Sequence, residues 1–256
     1  MKKVLFIFGM LLMSFQLFSQ TQADSLIVPS EEVKFDRWRF SVQEGGAYRT
    51  ARLDPSLNGD MKDYAKKLKR GLVYEADLTF FFSRAYGIGV QYSNMSSFAR
   101  QYVTASFDDG STQTGYLTDK LNIIYAGPFF AVRESTPDGR HRIYGNYGLG
   151  MLSYHDAAEL IEPFTMTGST IGYRVELGYD FRLTGKFYIG ALLSLTSGVL
   201  YDVTVSDATG SRETVKLSSD DAENLSRIAL SVGFRWNLAK QHYMYLLGSM
   251  TSVMNR

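Results

Sequence analysis

The sequence predicts an all-β protein: an eight-stranded antiparallel up-and-down transmembrane β-barrel behind a cleaved N-terminal signal peptide. Three observations predict it. Apolar and polar residues alternate in eight separate segments, the pattern of strands with one apolar face. The connections between those segments alternate short and long. Beyond residue 23 no run of 18 apolar residues occurs, so a chain that spans a membrane must do so as a closed barrel.

The N-terminus comes first. Lys2 and Lys3 precede an apolar stretch from Val4 to Phe18, and small or polar residues follow from Ser19 to Ala23. A basic start, a short apolar run and a small-residue exit describe a secretory signal peptide, assigned here to residues 1–20. The chain has no cysteine, which excludes a disulfide framework, a lipidated signal cysteine and thiolate metal sites. A net charge of +1 provides no field to recruit nucleic acid, and 17 Tyr, 17 Phe and 23 Gly against 5 Pro suit strands and turns.

The barrel is expected over residues 36–238. Its strands are read at 37–49, 71–83, 87–100, 117–133, 141–154, 171–183, 186–199 and 225–238. Short connections stand at Arg84 to Tyr86, at "STPDGRH" and at "LTGK". Long ones cover 50–70, 101–116, 155–169 and 200–224. Both termini then lie at the short-turn end, as in outer-membrane barrels with short periplasmic turns and long extracellular loops.

The stretch "IGYRVELGYDFRL" decides which face meets lipid. Arg174, Glu176, Asp180 and Arg182 share one face, and Ile171, Tyr173, Val175, Leu177, Tyr179 and Phe181 the other. A basic side chain in mid-bilayer costs roughly 2–4 kcal/mol, so the charges belong inside. The same parity sends Glu75, Asp77, Lys120, Arg142 and Arg235 inward. Together these nine residues are expected to form an interior ion-pair network that plugs the narrow lumen of an eight-stranded barrel. Trp38, Phe82, Phe181, Phe187 and Trp236 fit a lower aromatic girdle, and Tyr48, Tyr74 and Tyr173 an upper one. In the first strand the alternation would turn Glu44 to lipid, and a bulge at Gln43–Gly46 would restore the phase. In the fourth strand, Leu121, Ile123, Tyr125, Phe129 and Ala131 are read as lipid-facing, which leaves Ile124, Phe130 and Val132 inside.

The stretches "GLVYEADLTFFF", "HRIYGNYGLGML", "IGYRVELGYDFRL" and "SRIALSVGFRW", with the signal peptide and loop asymmetry, resemble the small outer-membrane β-barrels of OmpA/OmpX type. The resemblance implies a monomeric barrel in the cell outer membrane with a plugged, ion-paired interior. It also implies a role in envelope integrity or surface contact, inserted by the barrel insertion machinery. Members commonly end on a terminal aromatic strand. Here 18 residues, 239–256, follow "VGFRWNL" and are read as a periplasmic tail with a helical stripe of Tyr243, Leu246, Leu247, Met250 and Met254.

Catalysis is not expected, and neither is a metal or cofactor. "YGNYGLGM" alternates and opens no helix, so its glycines serve packing rather than a dinucleotide. "SYHD" is the one catalytic candidate: Ser153 and His155 share a face, with Asp156, Glu159 and Glu162 nearby. Outer-membrane lipid A hydrolases use Ser, His and an acid on such a wall, but with His ahead of Ser. The simpler reading is a strand-end serine and a solvated histidine. In the first long loop, Met61, Tyr64, Ala65 and Leu68 fall on one helical face and Lys62, Lys66, Lys67 and Lys69 on the other, with Arg70 adjacent. That face is either solvated or set against lipopolysaccharide phosphates. An envelope protein docking through the loops or tail is the remaining expected partner.

Overall fold

The computed structural model describes residues 35–238 apart from 56, 58, 107–111, 160–162 and 220. The expected signal peptide, Glu162 and the tail at 239–256 lie outside the described residues. Alternating sequence gives eight wall strands: β1 (Trp38–Arg49), β2 (Arg70–Phe81), β3 (Tyr86–Ser106), β4 (Thr112–Ser135), β5 (His141–Glu159), β6 (Pro163–Thr184), β7 (Phe187–Ser197) and β12 (Arg227–Leu238). Helix α1 (Gly59–Leu68) joins β1 to β2. The short strands β8 (Val199–Leu200), β9 (Asp202–Ser206), β10 (Arg212–Lys216) and β11 (Glu223–Asn224) lie between β7 and β12.

Every wall strand pairs antiparallel with its chain neighbours, and β12 closes the ring onto β1 through Trp38↔Leu238 to Arg49↔Arg227. The register gives the stagger. Following partners from Trp38 through Phe80, Ile88, Phe130, Tyr147, Val175, Leu195 and Ile228 returns to β1 at Tyr48, ten residues above the start. That shear tilts the strands by roughly 40°, so each residue climbs about 2.5 Å along the axis. The four-residue turn "TPDG" is held by Thr136 and Asp138, with Gly139 at φ 63, a left-handed conformation that glycine adopts without strain.

Three of the long connections are more ordered than expected. Residues 101–106 and 112–116 extend the paired strands β3 and β4, and residues 155–159 and 163–169 extend β5 and β6. In the fourth long connection, β9 docks on the upper part of β6 through Thr165↔Ser206 to Thr167↔Thr204, and β10 pairs with β9. A sheet in the order β10-β9-β6-β5-β4-β3 therefore rises above the closed part of the wall.

Two expectations are corrected. First, β1 runs through Gln43–Gly46 in unbroken register with both neighbours, so there is no bulge and Glu44 faces outward. Second, the faces of β4 are opposite to those expected. Leu121, Ile123, Tyr125, Phe129 and Ala131 are buried inside, while Lys120, Asn122, Ile124, Phe130 and Val132 point outward. Both faces of β4 are apolar, so its own alternation carries little phase information. The lower part of the strand settles the phase, because Arg133 shares the parity of Tyr125 and Phe129 and lies buried at the lumen's lower end.

Candidate functional site

The lumen is filled in tiers. At its centre, Arg174 of β6 stands between two carboxylates. Its Nε donates to Glu176 at 2.6 Å, and Nη2 donates to Glu75 across the barrel. Nη1 donates to Thr196 at 2.9 Å and to Ser93 at 3.2 Å. Glu176 also accepts from Asn146 at 2.6 Å, and Glu75 from Ser231 at 2.6 Å. All of these side chains are buried. Each charge thus meets an opposite charge and neutral donors or acceptors, as a buried ion must.

Below this tier Arg39 meets Asp77 at 3.2 Å and lies 4.3 Å from the centroid of the Tyr144 ring. Arg235 Nε stands 3.1 Å from Asp180, and its Nη2 donates to Gln43 and, at 2.8 Å, to the Tyr144 hydroxyl. Arg142 donates to Ser135, Tyr188 and Asn237 rather than to a carboxylate. At the lower mouth, Arg133 donates to the carbonyls of Arg84 and Asp36 and lies 3.4 Å above the Phe81 ring. Phe35, Phe81, Phe129 and Ala131 close the space there.

Above the central tier the filling is apolar. Leu121, Ile123, Tyr125, Leu152 and Tyr154 of the wall pack against Leu200, Val203 and Leu225 from the folded connection. Arg227 lies at the base of this plug and donates to the carbonyls of Ile123 (2.9 Å) and Ser93 (3.3 Å). At the rim Arg49 pairs with Glu223, Tyr154 donates to Asp156 at 3.2 Å, and Tyr64 of α1 is buried, which pushes its phenol pKa upward.

Of the nine residues read as an interior network, seven are buried within the wall: Glu75, Asp77, Arg142, Arg174, Glu176, Asp180 and Arg235. Two lie elsewhere. Lys120 is exposed on the outer face because β4 is inverted, and Arg182 sits in the lower turn, donating to the Asp138 carbonyl at 2.6 Å. Arg39, Arg133 and Arg227 were not anticipated. Arg39 and Arg227 share the polar parity of their strands, a signal that was present, whereas the misassigned face of β4 concealed Arg133.

The outer wall carries two further features. Ser153 and His155 both face outward, flanked across the strands by Ser169, Asn122 and Thr167. No hydrogen bond joins them among the described residues, and Asp156 points into the barrel, so no relay is assembled. Helix α1 forms where expected, with Lys62, Lys66 and Lys67 exposed and Lys66 bonded to Asp63 at 2.7 Å. Lys69 lies 5.0 Å from the Tyr48 ring, and Arg100 lies 3.8 Å from that of Tyr116. Between them a groove of about 550 Å³ is lined by Arg70, Leu72, Tyr74, Ser96 and Phe98. Among the described residues no group of three His, Cys, Asp or Glu side chains is placed to hold a metal ion.

The outward side chains between the girdles are overwhelmingly apolar, from Phe40, Val42, Leu78, Ile88 and Val90 to Leu149, Leu177, Leu193, Leu230 and Phe234. A closed ring with that exterior and a charged interior defines a transmembrane β-barrel of the outer-membrane type. No family model and no curated protein matches the sequence. Among solved structures the chain is similar to the outer membrane protease OmpT from Escherichia coli, at 9% identity over 84% of this chain and 99% of that one, with TM-score 0.45. It is also similar to Neisserial surface protein A, at 12% identity over 78% and 97% and TM-score 0.46. A third is Ail of Yersinia pestis in complex with a heparin analogue, at 13% identity over 78% and 99% and TM-score 0.38. All three are outer-membrane β-barrel proteins, and at these identities the likeness is one of fold.

Proposed function

We propose that the protein is a non-enzymatic outer-membrane barrel serving envelope integrity or surface contact, with its lumen acting as a rigid plug rather than a pathway. One observation carries this reading. Buried side chains obstruct the lumen at three levels: Phe81 and Phe129 below, with Phe35 packed against them, the Glu75–Arg174–Glu176 cluster at the centre, and the Leu121–Leu152–Leu200 plug above. What remains for contact is the exterior: the raised sheet and the basic rim.

The rim groove fits a phosphorylated lipid of the outer leaflet, lipopolysaccharide above all. Leu72, Tyr74 and Phe98 offer an apolar floor for an acyl chain, and Lys69, Arg70 and Arg100 offer cations at headgroup height. Purified full-length protein and a Lys69→Glu, Arg70→Glu double variant should be compared for co-purifying lipopolysaccharide by mass spectrometry. The variant should retain severalfold less, and equal retention would remove the groove from the proposal. The same spectra test catalysis. Loss of acyl chains from lipid A in the presence of the parent but not of Ser153→Ala would replace this reading with that of a hydrolase.

A further inference from the structure

Counted tier by tier, the buried charges of the lumen balance until its periplasmic end. At the centre Arg174 and Arg227 answer Glu75 and Glu176, with Arg227 joined to Glu75 through the Ser93 hydroxyl. Below them Arg39 pairs with Asp77, and Arg235 with Asp180. At the mouth stand Arg133 and Arg142, 5% and 6% exposed, and the one further acid beside them is Asp36. Its Oδ2 accepts from Asn237 at 2.9 Å rather than from either guanidinium, and Arg133 takes only the Asp36 carbonyl, at 2.8 Å. Among the described residues neither arginine has a carboxylate within 4.0 Å, and one cation is left over.

A buried ion needs an opposite charge or a full set of hydrogen bonds. Here the set is incomplete. Arg142 Nη1 stands 3.4 Å from Asn237 Oδ1 and Nη2 stands 3.3 Å from the Tyr188 hydroxyl, both long for an N–H donor. Arg133 Nη1 is buried with no partner among the described residues. The two side chains come from adjacent strands and both reach the Asp36–Asn237 pair, which brings their free donors to one place. Phe35 covers it. Its ring lies 6.0 Å from the Arg133 guanidinium and packs on Phe81 and Phe129, yet is itself only part-buried. Turning that one side chain opens the mouth to the periplasm.

We propose that the periplasmic mouth of the barrel binds one phosphate-sized tetrahedral oxyanion between the guanidinium groups of Arg133 and Arg142. Such an anion cancels the surplus charge and completes the donor set. Arg133 Nη1, the two terminal nitrogens of Arg142 and the Tyr188 hydroxyl arrive from different directions, which suits oxygens set at the corners of a tetrahedron. A carboxylate presents its oxygens in one plane and on one side, and would leave part of the set unmet. Guanidinium forks hold phosphate oxygens in a fixed geometry as well as by charge. The anion enters and leaves at the same end, so the lumen above it stays closed.

The test adds inorganic phosphate to the full-length protein in phosphate-free glucoside micelles, with sodium chloride holding the ionic strength constant. Binding is read from broadening of the phosphorus NMR line, and folding from gel mobility before and after boiling. The broadening should saturate, and sodium acetate at the same concentration should leave it in place. Arg133→Gln combined with Arg142→Gln should weaken binding about tenfold or more, since each exchange removes hydrogen bonds from a charged donor. Ser135→Asp serves where that pair does not fold. Ser135 is exposed at the strand end and its hydroxyl accepts from Arg142 Nε at 3.1 Å, so a carboxylate there supplies the missing charge from within and should abolish binding in a heat-modifiable barrel. Arg140→Gln, in the exposed turn nearby, should bind as the parent does. No broadening beyond that of protein-free micelles, displacement by acetate, equal weakening in Arg140→Gln, or undiminished binding by Ser135→Asp would overturn the proposal.

Discussion

Replacing Arg174 by alanine removes the one cation that Glu75 and Glu176 share. Arg174 is 1% exposed and the two carboxylates 5% each, so water cannot take its place without opening the barrel. Each carboxylate keeps neutral donors: Ser231, Ser93 and Ser194 for Glu75, and Asn146 for Glu176. These soften the loss without cancelling two like charges. Breaking a buried pair typically costs about 3–5 kcal/mol. With a urea slope of about 2 kcal/mol/M, the unfolding midpoint should fall by about 2 M. The comparison is Lys66→Ala, whose pair with Asp63 is exposed on α1 and is worth at most about 1 kcal/mol. Both variants are folded into phospholipid vesicles, titrated with urea and followed by tryptophan fluorescence and gel mobility. Equal midpoints for the two would refute the view that Arg174 organises the interior. A triple variant with leucine at positions 75, 174 and 176 should recover most of the loss, because it removes the charges together.

Three further outcomes follow from the same architecture. The mature chain should fractionate with outer membranes and migrate faster unboiled than boiled; recovery as a soluble periplasmic protein would contradict the barrel. In planar bilayers it should give no stable, large single-channel steps, since aromatic, ionic and apolar tiers obstruct the lumen in series. Deleting residues 239–256 should leave a heat-modifiable barrel, because β12 is already paired with β1 through Leu238 and with β7 through Trp236. A truncated chain unable to form one would make the tail part of the wall.

Much of the wall was legible because lipid enforces a strict period of two. The eight strands, their order and the closing pair follow from alternation and turn length, and the central charges Glu75, Arg174 and Glu176 follow from their parity. Legibility failed where that enforcement weakens. The two faces of β4 are both apolar because its inner face packs against Leu200, Val203 and Leu225 rather than against ions, so a rule of charged inside and apolar outside misreads it. The described parts of connections 101–116 and 155–169 continue as strands above the membrane, where no lipid enforces the alternation. Glu44 breaks the rule outright. Alternation alone turns it outward; the register of β1 removes the bulge at Gln43–Gly46 that would have turned it back.

The interior also selects between cations. Arg39, Arg133, Arg142, Arg174, Arg227 and Arg235 are all buried, whereas no described lysine is. Charge alone does not explain this, since Arg227 has no carboxylate partner and rests on the carbonyls of Ile123 and Ser93 and on the Ser93 hydroxyl. Those acceptors belong to β3 and β4, and the guanidinium reaches both because its donors diverge from a rigid plane. An ammonium concentrates three donors on one nitrogen at the end of a shorter stem, so it reaches one acceptor group and strands the other. Arg227→Lys, which conserves charge, should therefore lose about 1.5–3 kcal/mol, the usual worth of a hydrogen bond to a charged group. The exposed exchange Lys120→Arg should change stability by less than about 0.5 kcal/mol. Urea titration of both in vesicles measures the difference. An Arg227→Lys barrel as stable as the parent would show that the tier beneath the apolar plug needs only a positive charge, and that the fork geometry contributes nothing there.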